Sequence, residues 1–293
     1  MKISNTVKLL VALLVITNFK YLKAQNFIEG NNSILWQITG NDLKGPSYIY
    51  GLGDNMCKED IIFNDVVVNA IKNTEQVVFD SDISPEAQIK QRQLLTQKNN
   101  VSDSFSEKDR TLLNEFYITN YGADMSQLGF YKPFVLELLI KNKWSACKSP
   151  YDIRTDIVKI AEENKLNVAA LESPEDQVAI FDNVPEEDFV KSISKIINDR
   201  TEFEKISKKA YEFYKAQNQD SLVKILKEID FIGSNLERTA VKERHSKWLP
   251  KIEELIKGKP SFIAIGNAHI LPLGYDLVSL LKKKGYVLKA IKI

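Results

Sequence analysis

Three consecutive stretches near the carboxyl terminus constrain the fold most: an apolar run from Ser261 to Ile265, a helical stretch from Tyr275 to Lys284, and a second apolar run from Tyr286 to Ile291. A strand, a crossover helix and another strand within about 30 residues is the spacing of parallel strands joined by a right-handed connection. A sheet built that way is flanked by helices, so the class is α/β. Upstream, Ile34 to Thr39, a polar turn from Gly40 to Gly45, and Tyr48 to Gly51 read as a β-hairpin. Residues 59 to 74 have helical spacing, Val77 to Asp80 is a short apolar strand ending in an acid, and Pro85 to Asn120 reads as two polar helices. Helical patterns recur over 131 to 143 and from Tyr151 to Asn164, a strand follows from Asn167 to Leu171, and the stretch up to Gly258 is mostly helix, rich in Lys and Glu. No internal repeat, low-complexity tract or Pro/Gly linker divides the chain. Residues 25–293 are therefore expected to form a single domain, a mixed β-sheet flanked by helices with a helical insertion.

Residues 1–24 read as a cleavable signal peptide: Lys2 and Lys8 precede the run from Leu9 to Ile16, and Leu22-Lys23-Ala24 offers a cleavage site before Gln25. That run falls short of the roughly 20 apolar residues a bilayer span needs, and Asn18, Lys20 and Lys23 interrupt it. The mature protein is expected outside the cytoplasm, periplasmic or secreted, with no stable membrane span. Removing the four lysines of the leader takes the balance from 40 basic against 39 acidic residues to 36 against 39, a formal charge of −3 in place of +1. A nearly neutral chain without a basic stripe argues against nucleic acid as a partner. Cys57 and Cys147 lack C-x-x-C spacing; in an exported protein they read as a disulfide, the alternative being two buried free thiols.

In α/β sheets, functional groups gather just past the carboxyl ends of strands. Four such places carry ionisable groups here: Gly51-Leu52-Gly53-Asp54, Asp80, Leu171-Glu172, and Gly266-Asn267-Ala268-His269. The chain holds two histidines, and an imidazole can ligate a metal or move a proton near neutral pH. His269 reads otherwise as a hydrogen-bonded structural residue, and His245, within Glu243-Arg244-His245, as part of a solvated helix face. Asp54 and Asp80 offer hard oxygen donors that, with one or two imidazoles, suit Mn, Fe, Co or Zn. Asp80-Ser81-Asp82 is equally an acidic turn. No G-x-S-x-G elbow or phosphate loop is present, and Gly51-Leu52-Gly53 alone does not make one. Tyr211, Phe213 and Tyr214 are assigned to core packing rather than to a peptide-binding rim.

Taken together, Leu35 to Ile38, Ser47 to Asp54, Val77 to Asp82, Leu171 to Gln177, Glu243-Arg244-His245 with Trp248, and Phe262 to His269 followed by Gly285-Tyr286 resemble the TraB/GumN family, in the family's order. Cys57-Lys58-Glu59-Asp60 and Cys147 resemble its cysteine-bearing secreted branch from Bacteroidetes-type bacteria. The resemblance implies kinship with the Tiki metalloproteases and, more distantly, with erythromycin-esterase-like and ChaN-like proteins. The Tiki pattern sets two G-x-x-H motifs and a strand-end Glu around a divalent metal. This chain departs from it: Asp54 stands where the first motif has His, Asp80 where the family has Glu, and His245 where an Asn follows Glu-Arg.

Two readings follow. In one, Asp54, Asp80, His269 and His245 rebuild a centre for Mn, Co or Zn, whose bound water attacks a peptide or small-molecule substrate while Arg244, beside Glu243, stabilises the oxyanion. In the other, catalysis is lost and the chain is an extracytoplasmic binding protein, Arg244 merely bridging Asp80 or Glu172. A haem carrier, by analogy with ChaN-like proteins, finds no Cys-x-x-Cys-His or tyrosine-rich patch to support it.

Overall fold

Phe262-Ile263-Ala264-Ile265 and Val77-Val78-Phe79 show no polar alternation, the pattern of strands covered on both faces, and they lie well inside the sheet. The computed structural model describes residues 27–28, 30, 32–53, 55–228 and 234–293. The expected signal peptide and Asp54 fall outside them. Seven strands make one mixed sheet: β1 (Phe27–Ile28), β2 (Leu35–Thr39), β3 (Ser47–Leu52), β4 (Gln76–Ser81), β5 (Asn167–Glu172), β6 (Ser261–Gly266) and β7 (Val287–Ile291), in the order β1-β7-β2-β3-β6-β4-β5. β2 and β3 are the expected antiparallel hairpin, turned through Gly40, Asn41 and Asp42, all at positive φ. β3, β6, β4 and β5 run parallel. β6 and β7 also point the same way, yet β2 and β3 lie between them, so the closing strand-helix-strand unit brackets the hairpin instead of pairing with itself.

Helices flank the sheet. α1 (Asp65–Lys72) and α6 (Arg154–Glu163) pack on each other and on its β4-β6 region, while α11 (Ser234–Gly258) meets β5 and α12 (Leu277–Lys283) meets β7. The helix expected over 59 to 74 is shorter. Asn64 accepts hydrogen bonds from the amides of Val66 and Val67 and starts α1 there, while Ile61, Ile62 and Phe63 pack on the core from the loop before it.

Between β4 and α6 come α2 (Pro85–Leu94), α3 (Glu107–Tyr121), α4 (Met125–Leu128) and α5 (Pro133–Trp144). After β5 come α7 (Pro174–Asp182), α8 (Glu186–Asn198), α9 (Arg200–Lys215) and α10 (Gln219–Glu228). Leu113, Phe116, Tyr117, Ile140, Trp144, Ile193 and Phe203 give these helices an apolar cluster of their own. Buried within it, the Glu137 carboxylate accepts from Ser192 at 2.7 Å and pairs with Lys141 at 2.7 Å. Cys57 and Cys147 form a disulfide, which ties the loop after β3 to the loop after α5.

Candidate functional site

Because β3, β6, β4 and β5 are adjacent and parallel, their carboxyl ends line up along one margin of the sheet, as a crevice in an α/β fold requires. Gly51 to Gly53, the Gly266 to His269 turn, Asp80 and Glu172 follow one another along it. β6 passes into a short 3₁₀ turn, Asn267–His269, that folds the His269 imidazole inward, where it is buried. α11 carries Arg244, His245 and Trp248 on one side, by the i, i+1, i+4 spacing of a helix, and lays them over the ends of β5 and β6.

The two histidines meet. Nε2 of His245 lies 2.9 Å from Nδ1 of His269, and Nδ1 of His245 lies 2.8 Å from the Tyr275 carbonyl. A carbonyl only accepts, so Nδ1 of His245 carries its proton, and neutral His245 then accepts from Nδ1 of His269. Nε2 of His269 has no hydrogen-bond partner among the described residues. Burial pulls the pKa of His269 well below its usual value, with the Arg244 and His245 charges acting in the same direction. Burial also lowers His245, against the opposing effects of the Tyr275 carbonyl and Asp276. Both shifts favour the neutral rings. The indole of Trp248 packs on His269, ring centres 4.5 Å apart.

Glu172 is the anchor of the neighbouring group. Arg244 grips it with two donors, Nη2 to Oε1 at 2.7 Å and Nε to Oε2 at 3.2 Å. Trp248 Nε1 adds a third at 3.0 Å, and the guanidinium sits over the Trp248 ring, 4.4 Å from its centre. Burial raises the Glu172 pKa, against the pull of Arg244 and Trp248. Glu243 is exposed, on the rim of a small cleft that also carries Asp176, Lys247 and Lys251.

Asp80 closes the row. Its Oδ1 accepts from the Ser81 amide at 3.0 Å and pairs with Arg154 at 3.4 Å, while Oδ2 accepts from the Gly266 amide at 3.2 Å. It thus stitches β4 to the β6 turn and to the first turn of α6. Of the two acids weighed as partners for Arg244, Glu172 is the one it holds. Arg154, which holds Asp80, belongs to no motif and was missed for that reason. At the β3 end, the two glycines are steric: a Cβ on Gly51 would lie 2.5 Å from Asn267 Oδ1, and one on Gly53 2.6 Å from the Tyr214 ring. Tyr214 is buried and donates its hydroxyl to the Gly51 carbonyl at 2.9 Å. This is packing of the kind expected of that aromatic trio.

Among the described residues, no three His, Cys, Asp or Glu side chains gather to hold a metal ion. The partners these side chains hold are protein groups: His245 meets the Tyr275 carbonyl and His269, while Asp80 and Glu172 each accept hydrogen bonds on both oxygens. Of the expected ligands described, only Nε2 of His269 is uncommitted. As placed, the described side chains do not converge three at a time on a common point.

A model of the TraB/PrgY/gumN family matches residues 34–290. Comparison with curated proteins and with solved structures yields no match.

Proposed function

Given that the chain belongs to the TraB/PrgY/gumN family, we propose that it is an extracytoplasmic member that works by binding a peptide or small molecule at its strand-end crevice, hydrolysis by a divalent metal having been lost. One observation carries this reading: Glu172, Arg244 and Trp248 are bonded to one another, and His245 is bonded to His269. Arg244 is then a brace for Glu172 rather than an oxyanion donor, and the histidine pair is an internal hydrogen bond. The Cys57–Cys147 disulfide supports an oxidising compartment, periplasmic or external. In keeping with that, no helix among the described residues is long and apolar enough to cross a membrane.

The test is elemental analysis and calorimetry of residues 25–293 with Mn, Co and Zn, beside His269→Ala and Asp54→Ala, with a peptide-cleavage screen. The expected result is no uptake up to about millimolar ion, where affinity is only about 4 kcal/mol, and no cleavage. Roughly one ion per chain, lost in both variants, would overturn the reading and establish a rebuilt hydrolytic centre.

A further inference from the structure

A cavity of about 280 Å³ opens beside the polar row, over the ends of β3 and β6 and beneath α9 and α10. Its wall is mostly hydrocarbon and aromatic: Leu52, Met56, Phe203, Ala210, Leu222 and Leu271. The polar side chains among them are largely spent. Tyr211 donates to Asp60 at 2.7 Å, Tyr214 to the Gly51 carbonyl at 2.9 Å, and Ser145 to the Cys147 carbonyl at 2.8 Å. Asn267 gives its amide to Gln219 at 3.0 Å while its buried Oδ1 has no partner among the described residues, and Lys141 is held 2.7 Å from the buried carboxylate of Glu137. Ser207 and Asn55 add only a neutral hydroxyl and a neutral amide. Among the described lining residues the one charged group is Lys141, already paired with Glu137, so a charged ligand would find no free counterion there, and burying an unpaired charge is costly. An apolar ligand loses nothing there and gains from every wall contact, as small hydrocarbons do in dry apolar cavities.

We propose that this cavity binds an uncharged apolar small molecule of two or three rings, or an equivalent hydrocarbon. The assignment rests on the binding reading of the crevice and names its ligand class. The disulfide bears on it directly: Met56 and Ser145 of the wall each lie within two residues of a bridged cysteine, so Cys57–Cys147 holds that part of the wall together.

The probe is N-phenyl-1-naphthylamine, uncharged and fluorescent in apolar surroundings, titrated against its sulfonated analogue 8-anilinonaphthalene-1-sulfonate, which has the same rings and one negative charge. Saturable binding of one uncharged probe per chain, with the sulfonate at least tenfold weaker, is the expected result. Ala210→Trp, which fills the cavity, should weaken the uncharged probe tenfold or more. Leu226→Asp, at the exposed mouth and therefore neutral to folding, should weaken it severalfold. Equal or tighter binding of the sulfonate would overturn the assignment and mean that Lys141 reads an anion. Non-saturable binding, or binding untouched by either variant, would overturn it too. The two readings fail separately: stoichiometric metal uptake ends the metal-free function and leaves the probe result standing, whereas absence of both metal and probe ends only the cavity assignment.

Discussion

At the scale of single residues, the site is a set of buried polar groups whose stability depends on mutual satisfaction. Removing one partner of a buried ion pair leaves the other charge unpaired, at a cost of about 3–5 kcal/mol. Arg244→Met should therefore destabilise the protein by about that amount in urea denaturation, and Arg244→Met/Glu172→Gln should recover much of the loss. A double variant no better than the single one would mean that Arg244 acts through packing on Trp248. The histidine pair predicts a pH dependence. Both imidazoles are lowered in the folded protein, mainly by burial, so on acidification the unfolded chain takes up more protons than the folded one. Their contribution is complete above about pH 6.5 and is lost as pH falls below it. Melting temperature should drop between about pH 7.5 and pH 5, and His245→Gln/His269→Leu should flatten that drop; an unchanged slope would assign it to carboxylates instead.

At the scale of elements, the disulfide closes a loop between positions 90 residues apart. Chain entropy gives such a crosslink about 4–5 kcal/mol. Cys57→Ala/Cys147→Ala should lower the unfolding free energy toward that extent, measured with the wild type in reductant as a second reference; a loss under about 1 kcal/mol would show that the bonds of Tyr211 and Lys215 to Asp60, at 2.7 and 2.8 Å, already fix the loop. Most elements were legible because strands such as Val77 to Asp80 and Ser261 to Ile265 are unbroken apolar runs between polar helices. The start of α1 was not, since Ile61-Ile62-Phe63 continues the apolar pattern and hides the cap at Asn64. The candidate site was legible in its parts, each at a strand end or in a motif block, but not in its pairings. His245 and His269 are 24 residues apart on different elements, and only the seating of α11 over β6 brings the rings together. Arg154 sits in a helical turn whose sequence announces nothing.

At the scale of the whole molecule, the consequence lies in the order of the sheet. Ser47 and Ser261 are bonded across 214 residues of sequence, and β6, among the last strands in the chain, is the one wedged between β3 and β4. Until β6 arrives, the N-terminal hairpin and the β4-β5 pair are two fragments with bare edges and no shared interior. Closure of so non-local a sheet is slow, because the intervening chain must be gathered before any long-range contact rewards it. A chain emerging from the ribosome would thus stay pliant for nearly its whole length, and would snap shut only once its final strands were free.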